Sequence, residues 1–456
     1  MRDILAFVDG NQEIFLNELK ELLSIPSVSA LSEHKADIWR CAEWLENHLR
    51  GIGFPRVEIF ETSGHPIVYA EWLVDPSKPT VLSYGHYDVQ PPDPLNEWTS
   101  PPFEPAIREG HIYARGTSDD KGQIFTHLKA TQAFAETRGV PPVNIKLLIE
   151  GEEEVGSSNL EDFVRNHKDL LAADAVCISD TSIESLKVPC LTCGLRGLLY
   201  YEIKIRTANR DLHSGIYGGA APNPLKFLSR LVALAESPSG KVLIPGFYDD
   251  VRQITDEDRD LIHASGFDER EFQSSIGAPF FVGEKEFSVP ERLGLRPTFE
   301  VHGMPGGFTG EGSKTVIPAQ AAVKVSMRLV PNQDIGQIDR IFRQWVADVL
   351  PAGLSAEIKN LGTGNWWVVD ESSPVYAKAR HALCEGFGAE RTGAVFEGGS
   401  IPVVAMFSEV IGCPVVLLGF GLNEDNLHSP NERLALERFF GGIRTMIHFY
   451  DEIAKQ

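Results

Sequence analysis

Tyr84-Gly85-His86-Tyr87-Asp88-Val89 comes directly after the β-prone run Thr80-Val81-Leu82-Ser83. The same grammar recurs along the chain. Val143 to Ile149 leads into Glu150-Gly151-Glu152-Glu153-Glu154, and Ala175-Val176-Cys177-Ile178 leads into Ser179-Asp180. Val415-Val416-Leu417-Leu418 runs through a short loop towards Leu427-His428-Ser429. A fifth segment, Arg115-Gly116-Thr117-Ser118-Asp119-Asp120-Lys121-Gly122, sets two aspartates ahead of a helical pattern. Short apolar runs bounded by turns suit strands buried on both faces of a parallel sheet. In such sheets ligands bind beyond the carboxyl ends of the strands. Two histidines and several carboxylates are therefore expected on one rim, the inventory of a two-metal hydrolytic centre.

Outward from that rim, the alternation of strands and helices runs from about Val57 to Ile178, the pattern of an α/β sheet. Asp9 to Leu23, Ile38 to Leu49 and Gln123 to Phe134 carry apolar residues at helical spacing. The pattern changes near Cys193. Leu198 to Ile205 alternates as a half-exposed strand, and Pro222 to Ala235 is an amphipathic helix. Arg296 to Val301 and Ala319 to Leu329 read as strands, Ile335 to Leu350 as a helix and Leu354 to Leu361 as a last strand. Leaving aside an insertion of 237–297, this is β-α-β-β-α-β, the ferredoxin-like order. The α/β pattern resumes after Asp370, with helices over Pro374 to Phe387 and Glu432 to Ile447 around a strand at Pro414 to Leu418. The expected fold is α/β. A catalytic domain with a mostly parallel sheet flanked by helices is formed by 1–195 and 371–456, with an α+β domain inserted at 196–370.

With 456 residues, two domains are the natural expectation. Apolar and charged contents of 43% and 23% are ordinary for a globular chain. No apolar run approaches the ~20 residues of a membrane span, and no secretion signal opens the sequence. The net charge of −22 provides no basic footprint for nucleic acid. Cys190 and Cys193 form an isolated C-x-x-C among only six cysteines, so a reducing, cytoplasmic setting is expected.

Taken singly, each polar fragment has an ordinary structural explanation. Asp119-Asp120 can cap the following helix, and Glu152-Glu153-Glu154 the helix near Leu160. Their joint placement after strands favours chemistry. A bridging carboxylate holds two divalent ions ~3.5–4 Å apart. His86 and His428, with Asp119, Asp180 and one of the glutamates, complete such a pair, leaving the neighbouring glutamate as general base. Asp88, two residues after His86, is placed to fix the imidazole tautomer.

GHYDVQP, RGTSDDKG, EGEEEVGS, ISD, DLHSG, RLVP, GGSIPV and LHSPNE together resemble the di-zinc metallopeptidases that include aminoacylase, glutamate carboxypeptidase and succinyl-diaminopimelate desuccinylase. The likeness is strongest to the carnosinase and cytosolic non-specific dipeptidase branch and runs from about residue 10 to 435. It implies that His86, Asp119 and Asp180 hold one metal ion and that Asp119, Glu154 and His428 hold the other. It further implies Glu153 as catalytic base, Asp88 as the residue that orients His86, and a cis Asp119-Asp120 peptide. On the inserted lid, the resemblance assigns His213 to the partner subunit's active site, Arg328 to the substrate carboxylate and Thr315 to a nearby contact. Ser400 matches a substrate contact on the main domain. The implied protein is a homodimer through its lid that cleaves small peptides with two divalent ions, Zn²⁺ or Mn²⁺. Two other readings stay open: an N-acyl- or N-succinyl-amino-acid deacylase, and a catalytically silent binding protein.

Overall fold

The computed structural model describes residues 1–183, 188–399 and 401–455. Its large sheet runs in the order Arg56–Phe60, Ile67–Trp72, Asn144–Glu150, Thr80–His86, Ala175–Ile178, Val415–Leu417, Cys190–Leu195 and Trp367–Val368. The four central strands, Asn144–Glu150 to Val415–Leu417, are mutually parallel. Antiparallel pairs close both margins, and Gly393–Glu397 adds a further parallel strand beside Cys190–Leu195. All seven residues of Asn144–Glu150 and all four of Ala175–Ile178 are buried, as expected for strands covered on both faces.

The helix Lys121–Arg138 is buried around most of its circumference, and Leu436–Ala454 packs against it. At its start a Cβ on Gly122 would lie 1.9 Å from the Thr117 carbonyl oxygen. Only glycine lets the helix begin in backbone contact with the loop that carries Asp119. The single helix expected over Asp9 to Leu23 is two, Arg2–Gly10 and Gln12–Leu23. Asn11 breaks them apart, its side-chain amide donating to the Phe7 carbonyl at 2.7 Å; such local bonding competes with helix continuation.

A second sheet is antiparallel throughout, in the order Thr298–Gly303, Gln320–Leu329, Gly197–Arg206, Ala356–Gly364. This is the ferredoxin-like arrangement, here called the lid. Burial alternates along Gly197–Arg206, so Leu199, Tyr201, Ile203 and Ile205 share one face. That face joins the helices Pro224–Ala235 and Ile335–Val349 in a separate core. Asn223 caps the first of these helices by accepting from the Leu225 N–H, with Pro224 at its first position.

The chain passes between the sheets at Leu195–Gly197 and returns by Gly364–Trp367, side by side. A Cβ on Gly197 would lie 2.9 Å from the Gly364 carbonyl oxygen. Trp366 spans the junction, its indole N–H donating to the Gln333 carbonyl at 2.9 Å. The insertion leans the other way. Its helices Asp256–Ala264 and Val289–Gly294 pack on Gly393–Glu397 of the large sheet, and Ile262 and Leu295 join the large core. Among the described residues no helix is long and apolar enough to cross a membrane.

Candidate active site

His86 ends the strand Thr80–His86, and Asp180 follows Ala175–Ile178 after one residue. Asp119 precedes the helix Lys121–Arg138, and Glu153 and Glu154 form the turn after Asn144–Glu150. His428 arrives from the far end of the chain, with φ of 57°. A non-glycine residue in this region is uncommon and costs conformational energy, a pattern that concentrates at functional sites.

Asp119 divides its two oxygens. Oδ1 lies 3.0 Å from His86 Nε2, which is 3.8 Å from Asp180 Oδ1. Oδ2 lies 2.9 Å from His428 Nε2, which is 3.3 Å from Glu154 Oε2. Two clusters result, His86-Asp119-Asp180 and Asp119-Glu154-His428, each with its ligand atoms within 4.8 Å of one another. Asp119 belongs to both.

A layer of hydrogen bonds holds these groups. His86 Nδ1 donates to the Asp88 carbonyl at 3.0 Å, and the Asp88 carboxylate is slightly farther, at 3.3 Å. The main chain of Asp88 therefore fixes the tautomer that leaves Nε2 as a ligand. The Asp88 carboxylate accepts instead from the Glu153 and Glu154 backbone N–H groups, both at 3.1 Å, and so clamps the acidic turn to the histidine strand. The Asp119-Asp120 peptide is cis. Neither aspartate side chain caps the helix that follows; Asp120 Oδ2 accepts from the His86 N–H at 3.2 Å.

Sequence reasoning passed over two members of this layer. Gln90 donates to Glu154 Oε2 at 2.7 Å. Glu432, fully buried, accepts from the N–H groups of Gly116, Ser118 and Asp119 at 2.9 to 3.1 Å and from Arg115 Nη1 at 2.7 Å. Both stand inside quoted motifs, GHYDVQP and LHSPNE, so composition marked the neighbourhood while the partner lay far off in sequence.

The electrostatics favour bound cations. Burial alone would lower the proton affinity of His86, yet its bonds to Asp119 and Asp180 raise it well above the usual histidine range. Bonds to Asp119 and Glu154 push His428 up to about 10. Burial would raise Asp119, but bonds from both imidazoles hold it below the carboxylate range. Glu153 is pushed well above that range by burial and by the negative Asp180, Asp119 and Glu154. Imidazole nitrogens and carboxylate oxygens gathered in a negatively charged setting, buried around His86 and open at His428, fit divalent metal ions.

The lid residues lie apart from these clusters. His213 is exposed and its Nδ1 accepts from the Gly215 N–H, capping a four-residue helix. Thr315 is its neighbour: the Ser214 N–H donates to the Thr315 carbonyl at 3.0 Å, within the ribbon of Leu212–His213 and Val316–Ile317. Arg328, half-buried on Gln320–Leu329, has its pKa lowered by desolvation. Ser400 lies outside the described residues. Cys190 and Cys193 sit buried on one strand, and no disulfide joins any of the six cysteines. Cavities of about 580 and 780 Å³, at the domain junction and in the insertion, contain none of the ligand residues.

Known proteins resemble this chain in sequence and in fold. The chain is 33% identical to the Cys-Gly metallodipeptidase dug1 of Schizosaccharomyces pombe, over 98% of this chain and 97% of the relative. It is 30% identical to the human Beta-Ala-His dipeptidase, over 100% and 93%. The crystal structure of the M20 family metallo-carboxypeptidase Sso-CP2 from Sulfolobus solfataricus superposes with a TM-score of 0.86 at 33% identity, covering 97% of this chain and 99% of that one. The model of peptidase family M20/M25/M40 matches residues 82–452. The chain is a metallopeptidase-type enzyme belonging to peptidase family M20/M25/M40.

Proposed function

We propose that this protein is a dipeptidase that binds two divalent metal ions, zinc or manganese, and cleaves the amide bond of dipeptides with a free C-terminal carboxylate. The observation that carries the reading is Asp119, with one oxygen facing His86 and Asp180 and the other facing His428 and Glu154. The dipeptidase names of the full-length relatives support the substrate class. Such N/O donors accept both zinc and manganese.

Bound there, the ions would supply Lewis-acid polarisation and a water acidified to near-neutral pKa. The residues do the rest. Asp88 holds the turn that aims Glu153. Glu153 takes a proton from the attacking water as the C–O bond forms, then returns it to the departing amine as the C–N bond breaks. His213 of the partner subunit donates to the developing oxyanion. Arg328 forks onto the substrate carboxylate, with Thr315 and Ser400 as further contacts. The inserted domain acts as lid and dimerisation surface. The absence of any disulfide supports a cytoplasmic setting.

The test is a side-by-side assay of Ala-Ala-type dipeptides and N-acetyl or N-succinyl amino acids, with elemental analysis before and after chelation. Dipeptide turnover that is lost on chelation and restored by zinc or manganese is expected. Preference for the acyl substrates would transfer the reading to a deacylase, and activity in metal-free protein would end it.

A further inference from the structure

Arg196 occupies the single residue between the large-sheet strand Cys190–Leu195 and the lid strand Gly197–Arg206. It is 8% exposed. Its guanidinium donates to main-chain carbonyls in distinct stretches: Nε to Gly398 at 3.3 Å, and Nη1 to Arg292 at 3.4 Å and Arg296 at 3.2 Å. Its own N–H donates to the Glu397 carbonyl at 3.3 Å. One side chain therefore ties the lid crossing, the end of the insertion and the turn that begins at Gly398.

The packing around that turn leaves no slack. A Cβ on Gly398 would lie 2.5 Å from Arg196 Nη2 and 2.9 Å from the Leu293 carbonyl oxygen. A Cβ on Gly294 would lie 2.1 Å from the Phe396 carbonyl oxygen, so the insertion's last helix meets the strand leading into the turn backbone to backbone. Arg328 is close by. Its register partner on Gly197–Arg206 is Leu198. Arg196, two residues earlier, falls on the same face at a diagonal position, within reach for long side chains. Burial lowers the Arg196 pKa to about 10, and the positive Arg328 adds to the shift.

We propose that Arg196 is a positioning residue for the carboxylate end of the substrate, bracing the Gly398–Gly399 turn against the insertion and keeping a second positive charge beside Arg328. This rests on the reading of Arg328 as the carboxylate anchor. It gives the 237–297 insertion a part in substrate choice, because the carbonyls of Arg292 and Arg296 set where the guanidinium lies. The brace has a geometric requirement that lysine cannot meet, since an ammonium lacks the planar fork.

The experiment uses full-length Arg196→Gln, Arg196→Lys and Gly398→Ala proteins beside wild type and Arg328→Ala. Each is assayed on a dipeptide, its C-terminal amide, an N-acetyl amino acid and the matching amide. All three variants are expected to raise KM for the free-carboxylate substrates roughly ten-fold, as for loss of a charge-assisted contact. The value of kcat should stay within about three-fold, and metal content and KM for the amides should hold at wild-type levels. Equal losses on carboxylate and amide substrates, or unchanged KM throughout, overturn the proposal. If Arg196→Gln does not fold, Arg196→Lys and Gly398→Ala decide it. A wild-type enzyme inert on dipeptides and active on the N-acetyl pair would remove the dipeptidase reading, while the Arg196 effect is still read on that pair.

Discussion

The rim of the large sheet and the lid hold their site residues under opposite conditions. On the rim, His86, Asp119, Asp180, Glu153 and Glu154 follow buried strands or lead a buried helix, and Asp88, Gln90 and Glu432 fix them by hydrogen bonds. On the lid, His213 is exposed on a two-residue ribbon and Thr315 is exposed just before the ribbon's other strand. The rim clusters are assembled within one chain, whereas the lid residues stand apart from them. His428 is the exception on the rim, its side chain 55% exposed, so one cluster is closed to water while the other opens onto it. The substrate contacts proposed for the lid sit on exposed chain, where movement is cheap.

The comparison breaks first at Glu153. Replacement Glu153→Gln keeps the turn and should leave the metal content unchanged, yet lower kcat by about 10²–10⁴. Single-turnover assays with elemental analysis check this, and near-normal kcat would remove Glu153 as base. His213→Ala should cost about 10²–10³ in kcat, the scale of one lost oxyanion donor. Mixing it with Glu153→Gln under subunit exchange should restore activity, because each heterodimer regains one site with a native Glu153 and a native His213. Confirmed heterodimers without activity would place His213 outside the partner's site.

Glu432 sharpens the comparison from the rim side. Glu432→Gln should weaken metal binding by about 10–100-fold, as expected when an outer partner of a ligand is lost. Competition with a chromogenic chelator measures it, and unchanged affinity would reduce Glu432 to a packing role. The smallest effect lies far from the site. His48 stacks on Trp44 and accepts a hydrogen bond from Lys129 at 2.7 Å. Burial and the positive Lys129 lower its pKa to about 3. The folded chain keeps His48 neutral while the unfolded chain takes up a proton below about pH 6.5. Stability should therefore fall as pH drops below that value, by about 1 kcal/mol at pH 5.5 from this group. His48→Gln should flatten that acid limb in chemical denaturation, and an unchanged slope would refute the assignment.

The clustering of the strand-end residues was legible because its signal is local: an apolar run stops and a histidine or carboxylate follows. The lid strand Gly197–Arg206 was legible for a similar reason, since alternation shows directly which face is buried. Glu432 was not, because its meaning depends on N–H groups more than 300 residues away. Arg196 was hidden in the same way, its acceptors being backbone carbonyls that any residue presents. The insertion's docking on Gly393–Glu397 combines close glycine contacts with the burial of Ile262 and Leu295, and neither names its partner in the sequence. The break at Asn11 was missed because apolar spacing continues across it while a single side-chain bond ends the helix.

Glu432 and His428 lie more than 300 residues after Asp119, yet one positions its loop and the other faces it. During synthesis the remaining ligand residues emerge long before these two. A nascent chain that stops short of them has neither His428 nor the carboxylate that accepts from the Asp119 N–H. A chain cut ahead of His428 keeps four of the five cluster residues, yet one of the two clusters stays incomplete.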